Sequence, residues 1–324
     1  MIPALVAASL LSQFCPSYSA SSPEGAAADC AVNAANGTNP TVAQWQNIFA
    51  LVSGGPSTWG TAGPTTMLML GQGCGQPNPT VQVAAKFPCE LIKAIAMQES
   101  SWKQFCVPTT PASQVGGASR TIISFDCGYG IGQVTSGMRT FDPAPNYDRA
   151  RVANDATYNL ATGMQILAQK WRATNCVGDN QPRIVEHWYT ATWAYNGLAQ
   201  SNNPNNPAYS STRGIYVPGV ASNRPYQERV FGWMEHPPTA AHWPVLRPAY
   251  PNLLQIGGAG SPPDLPEPTC GSPTSCATTR PTLVSSCLGG GAAGGGAATA
   301  GGSGAAGGGA TAGGGATAGG GATA

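Results

Sequence analysis

Apolar residues recur at helical spacing in five stretches of the chain, and few segments alternate as half-buried strands do. In VAQWQNIFALV (42–52), Trp45, Ile48, Phe49, Leu51 and Val52 predict a short amphipathic helix. PCELIKAIAMQESSW (88–102) has neither proline nor glycine between Cys89 and Trp102, which predicts a helix of three turns or more. ATYNLATGMQILAQKW keeps Ala156, Leu160, Met164, Leu167 and Trp171 on one face, with Asp155 placed to cap its start. IVEHWYTATWAYNGL aligns Ile184, Trp188, Thr192 and Tyr195, and PYQERVFGWMEHPP carries Pro225 where a first helical turn accepts it. The pattern predicts a mainly α fold with long loops.

One position breaks the pattern. At roughly 100° per residue, Leu91, Ile92, Ile95, Ala96 and Trp102 share one arc, and Glu99 falls inside it. A carboxylate on a buried stripe needs a partner, a proton or a chemical task. The plain alternative is a glutamate at a fraying helix end that turns to solvent.

The remaining stretches divide the chain. Residues 1–20 contain the apolar run IPALVAASLL, too short to span a bilayer, followed by small residues as at a signal cleavage site but without a basic start. Residues 21–79 read as a linker and a helical N-terminal extension, and 80–247 as a packed, mainly helical domain. Residues 248–287 read as a Pro/Cys-rich appendage, and 288–324 as a Gly/Ala/Thr tail expected to be disordered.

Composition narrows the chemistry. Only 9% of residues are charged and the formal net charge is +1, so no electrostatic footprint for nucleic acid or an anionic surface is present. Neutral, hydrogen-bonding partners such as sugars fit this balance. The ten cysteines do not fall into close C-x-x-C pairs, which favours disulfides in an oxidising compartment over a zinc cage. His187, His236 and His242 share no ligand spacing, so neither metal nor cofactor is expected.

AIAMQESSW, GYGIGQVTSGM and WAYNGL resemble, in order, the three motifs of the soluble lytic transglycosylase family, which is lysozyme-like and related to goose-type lysozyme. YNLATGMQILAQKW is similar to that family's intervening helix, with Asn159, Gly163 and Leu167 in the expected order. The resemblance covers about residues 80–200. It implies an extracytoplasmic, bacterial-type, monomeric enzyme without cofactors. Such an enzyme cleaves the β-1,4 bond between N-acetylmuramic acid and N-acetylglucosamine in peptidoglycan glycan strands.

By the same resemblance Glu99 is the general acid and base, and Gln133, Ser100, Tyr195 and Asn196 meet the substrate or, for the tyrosine, the catalytic carboxyl. Each of these four also has an ordinary reading, as a loop glutamine, a helix-end serine, a core tyrosine and a capping asparagine. Gly128, Gly130 and Gly132 would let the backbone approach a sugar closely. The family places a bulky apolar residue before the glutamine, where this chain has Gly132. Asp126 is either a structural rim residue or a second carboxylate that activates water for hydrolysis. The alternatives to transglycosylation are therefore a goose-type-like muramidase and a non-catalytic wall-binding protein.

Overall fold

The computed structural model describes residues 29–66, 68–75, 79–106, 120–209, 216–218, 224–269 and 287. The expected signal segment, the Gly/Ala/Thr tail, and Cys15, Cys270 and Cys276 lie outside them. Among the described residues the fold is mainly helical, with eight α-helices, three short 3-10 segments and one two-stranded sheet.

The helices are α1 (Val42–Ser53), α2 (Pro56–Trp59), α3 (Cys89–Ser100), α4 (Arg149–Asn154), α5 (Ala156–Ala173), α6 (Tyr189–Tyr195), α7 (Tyr226–Glu235) and α8 (Leu253–Ile256). Thr41 and Gln44 form a reciprocal capping box on α1. Asp155 caps α5 by accepting from the amides of Thr157 and Tyr158, both at 3.0 Å. The predicted 184–198 helix is split, with a 3-10 turn over Val185–Trp188 before α6. Helix α4, capped by Asp148, was not visible as periodicity because it has only six residues. The sheet, β1 (Met69–Gln72) against antiparallel β2 (Val81–Ala84), was missed for the same reason. Of β1 only Leu70 is fully buried, too little to register as alternation.

Helix α3 is the centre of the molecule. Every residue from Cys89 to Met97 is buried, so this helix has no solvent face and not merely the single apolar arc expected of it. It packs against α7 and α1, while α5 packs against α1, α6 and β1. Trp45, Phe49 and Val52 of α1 join its core, so the N-terminal extension is part of the same packing. The Phe49 and Trp102 rings lie 4.6 Å apart and Trp102 is 5.6 Å from Trp243. Trp102, Trp171, Trp188 and Trp193 are all buried, which leaves none of them a face for a sugar.

Residues 248–269, expected as part of an appendage, are built into this unit, with Ala249, Ile256 and Leu265 buried. Leu265 bridges Val177 in parallel, and the Cys176 amide donates to Asp264 at 2.8 Å. Buried His187 accepts from the Gln181 amide through Nδ1, so its Nε2 carries the proton given to Glu267 at 2.5 Å. Disulfides join Cys30 to Cys127, Cys74 to Cys176, and Cys89 at the first turn of α3 to Cys287. No described cysteine is a free thiol. No helix among the described residues is long and apolar enough to cross a membrane.

Candidate active site

A second, smaller apolar cluster forms around a hairpin, with Ile123, Cys127, Tyr129, Val134 and Met138 packed on Val152, Tyr158 and Ile166. Tyr195 packs against both clusters and marks their seam. Glu99 and Ser100 end α3 on one side of it, with Ser100 meeting the Ile131 carbonyl across it, and Asp126 and Gln133 belong to the hairpin on the other side.

The end of α3 explains how Glu99 is presented. Ser101 and Trp102 both take left-handed backbone conformations, at φ 54° and 59°. Each costs about 1–2 kcal/mol for a residue with a side chain. The Ser101 amide returns to the Met97 carbonyl at 3.0 Å, an αL cap, and Trp102 is buried with its indole N–H on the Lys93 carbonyl at 2.9 Å. The helix thus stops one residue after Glu99, and Glu99 is only half-buried where the preceding turns are enclosed.

Burial raises the Glu99 carboxyl to about 7; a hydrogen bond from the Tyr226 hydroxyl partly offsets this, and the charge of Asp126 adds to it. Tyr226 donates to Oε1 of Glu99. Its own phenol is held well above the usual range, first by burial and then by the Glu99 charge, so it keeps its proton. Tyr226 opens α7, whose next two residues are anchored to Tyr189 of α6 and to the 3-10 segment Gln200–Asn202. Gln227 donates to the Asn202 carbonyl at 3.0 Å, and Glu228 accepts from Tyr189 at 3.0 Å. Trp233 further along α7 donates to Gln98 at 3.0 Å, beside Glu99.

The tyrosine expected on the carboxyl was Tyr195. Its hydroxyl instead donates to the Gly132 carbonyl at 2.6 Å, and the tyrosine that reaches Glu99 is Tyr226. Tyr195 remains close enough that the Glu99 charge raises its phenol further, after burial. Tyr226 lies 127 residues from Glu99 in sequence, and no spacing pattern links them.

The hairpin is tied down from three sides. Asn159 of α5, fully buried, accepts from the Gly132 amide at 2.8 Å and donates to the Tyr129 and Val152 carbonyls at 2.7 and 2.9 Å. Gln104 accepts from the Ile131 amide at 3.0 Å and donates to Val152 and Ala153. Ser100, buried next to Glu99, lies 3.1 Å from the Ile131 carbonyl and accepts from the Lys103 amide at 3.1 Å. Its hydroxyl is therefore used in joining helix to hairpin.

Gly128, Gly130 and Gly132 are all buried, so the space they free is filled by the protein's own side chains and not left for a sugar. At Gly132 an added Cβ would lie 3.2 Å from Asn159 Oδ1 and 3.4 Å from the Tyr195 hydroxyl, which accounts for the absence of a bulky residue there. Gly163 of α5 makes the matching approach, since a Cβ there would sit 2.8 Å from the same hydroxyl.

Gln133 is half-buried in a left-handed conformation, φ 44°, with its amide folded back on the Gly130 carbonyl at 2.8 Å. Asp126 accepts from the Ser124 hydroxyl, and its carbonyl accepts from Arg139 at 3.4 Å. Asn196 is exposed and its side chain accepts from Asn202 at 3.1 Å. A second raised carboxyl, Glu235 at the far end of α7, is pushed up to about 8 by burial, less the pull of Arg247 and the Tyr250 hydroxyl. It lies nine residues along α7 from Tyr226, more than two turns from the Glu99 contact. Among the described residues no three His, Cys, Asp or Glu side chains come together as a metal site.

Tyr226→Phe tests the carboxyl's setting. The lost hydrogen bond favoured the ionised form, so the Glu99 pKa is expected to rise further. The alkaline limb of a pH–activity profile should move up by about one unit, the equivalent of ~1.4 kcal/mol. A limb that stays in place would show that Tyr226 only packs.

Comparisons of the chain with protein-family models, with curated proteins and with solved structures returned no match.

Proposed function

We propose that this protein is a lysozyme-like lytic transglycosylase that cleaves peptidoglycan glycan strands outside the cytoplasm. The observation that carries the reading is the Glu99 carboxyl, half-buried at the end of a buried helix, raised to about 7 and held by a protonated tyrosine. A carboxyl poised there is a proton donor at neutral pH. It would give its proton to the glycosidic oxygen as the C1–O bond breaks. The resulting carboxylate would then take the proton of the muramyl 6-hydroxyl as that oxygen bonds to C1. The products are a new chain end and a 1,6-anhydro sugar, with no water consumed. The ordered motifs around Glu99, Gln133 and Tyr195–Asn196 supply the substrate class, and the disulfides fit an oxidising compartment.

Hydrolysis is the second reading, because the Asp126 charge is near enough to raise Glu99. Against it, one Asp126 oxygen is engaged by Ser124. Mass spectrometry of digested peptidoglycan separates the two. Anhydro-muropeptides, each lighter by one water than a hydrolysis product, are expected from the wild type and from Asp126→Asn. Reducing-end products that vanish in Asp126→Asn would establish the muramidase instead.

A further inference from the structure

Helix α7 begins without a side-chain cap of its own. Pro225 stands before it, and a proline side chain has no acceptor to offer the leading amides of a helix. The first residue of this uncapped end is Tyr226, whose hydroxyl donates to Glu99. How well that hydroxyl is placed depends on how firmly the start of α7 is held. Trp233 bonds Gln98 of α3 at 3.0 Å, but it stands about two turns further along. The 2.9 Å bond from Arg229 to the Arg224 carbonyl closes within the start of α7 itself.

Asn202 supplies the missing cap from outside the helix. Its Oδ1 lies 3.5 Å from the Tyr226 amide, and its carbonyl accepts from Gln227 Nε2 at 3.0 Å. The other end of the same side chain is held too. Nδ2 faces the Asn196 carbonyl at 3.2 Å, Asn196 Oδ1 at 3.1 Å and the Gly197 carbonyl at 3.4 Å. These oxygens fix which way the amide points, since a flipped amide would set oxygen against oxygen. One half-buried residue thus joins the end of α6 to the first turn of α7.

We infer that Asn202 is a positioning residue for Glu99, acting through Tyr226. With both ends of its amide engaged, it holds the Tyr226 backbone against the end of α6, and the ring then reaches Glu99 from a fixed origin. A looser start to α7 would let the hydroxyl drift from Oε1. The ionised carboxylate would lose part of the hydrogen bond that favours it, and Glu99 would hold its proton more tightly. The bearing of Asn202 on turnover rests on the proposed function; its hold on the Glu99 proton does not.

The test compares Asn202→Ala, Tyr226→Phe and the double variant with wild type, all in the full chain. The Glu99 carboxyl is titrated by carbon-13 NMR, its resonance assigned by its absence from Glu99→Gln. Asn202→Ala is expected to weaken Glu99 ionisation about 3-fold, a rise of roughly half a unit, with a thermal midpoint lowered by only roughly 2–4 °C. In the Tyr226→Phe background the same change should move Glu99 little further, because the donor that Asn202 positions is already gone. An unmoved or more acidic Glu99 in Asn202→Ala, or the same 3-fold effect in both backgrounds, would overturn the inference. Should Asn202→Ala not fold, Asn202→Ser takes its place and the same outcomes decide. The two proposals fail separately. Anhydro products from wild type with an unmoved Glu99 titration in Asn202→Ala would remove the positioning role alone. The expected titrations without lytic products would remove the transglycosylase reading alone.

Discussion

Glu99→Gln is expected to lower lytic turnover by at least ~10²–10⁴-fold, the usual worth of a general acid–base, while making the protein more stable above pH 7. The two effects have one cause. Glutamine keeps the shape and can still accept from Tyr226, but it cannot release a proton. Near neutral pH the wild-type carboxyl is only partly protonated, and the ionised fraction is penalised by burial. Its folded pKa, about 7, lies above its unfolded value, so the native state binds more protons than the unfolded chain between roughly pH 4.5 and 7. Wild-type stability should therefore fall across that window as pH rises, and the neutral variant should not share the fall. Above pH 7 the variant's advantage should reach the order of 2–3 kcal/mol. Urea denaturation at pH 4.5 and pH 8, beside product analysis, checks both parts. A variant that loses activity and is also less stable at both pH values would make Glu99 a structural residue.

Asn159→Leu is expected to have the largest effect on stability. One buried amide satisfies the Gly132 N–H and the Tyr129 and Val152 carbonyls, and leucine of similar size satisfies none of them. The Gly132 N–H is then left unpaired, at about 1–3 kcal/mol, while the Tyr129 carbonyl keeps the Val134 amide and the Val152 carbonyl keeps Gln104, each losing one bond worth about 1 kcal/mol. Together these point to a loss on the order of 3–5 kcal/mol. Because Asn159 joins α5 to the hairpin carrying Asp126 and Gln133, the fraction that still folds should also turn over substrate about 10-fold or more slowly, as a misplaced positioning group does. Denaturation midpoints and turnover per folded molecule distinguish these effects. Unchanged turnover in the folded fraction would separate the hairpin's anchoring from catalysis.

Much of this site was legible because local pattern carries burial. The helical spacing of α1, α3, α5 and α7, the Asp155 cap and the odd position of Glu99 all follow from residues within a few turns of one another. Short elements were lost for the same reason reversed: six residues of α4 and four of each strand are too few for a period to emerge. Gly132 stands where the resembled family has a bulky apolar residue, and the reason, the close packing of Asn159 and Tyr195, is announced by no local pattern.

By itself the sequence determined the helical class, the central helix and a carboxyl in an apolar setting, since periodicity and the run of helix-compatible residues are properties of neighbours along the chain. Only the tertiary structure decided that Tyr226, not Tyr195, holds Glu99, and that Ser100 and Asn159 fasten the hairpin to two different helices. It also brought residues 248–269 into the core. These contacts join residues far apart in sequence. Which hydroxyl meets which carboxyl depends on how the helices pack, and that is settled by the shapes of many buried side chains together.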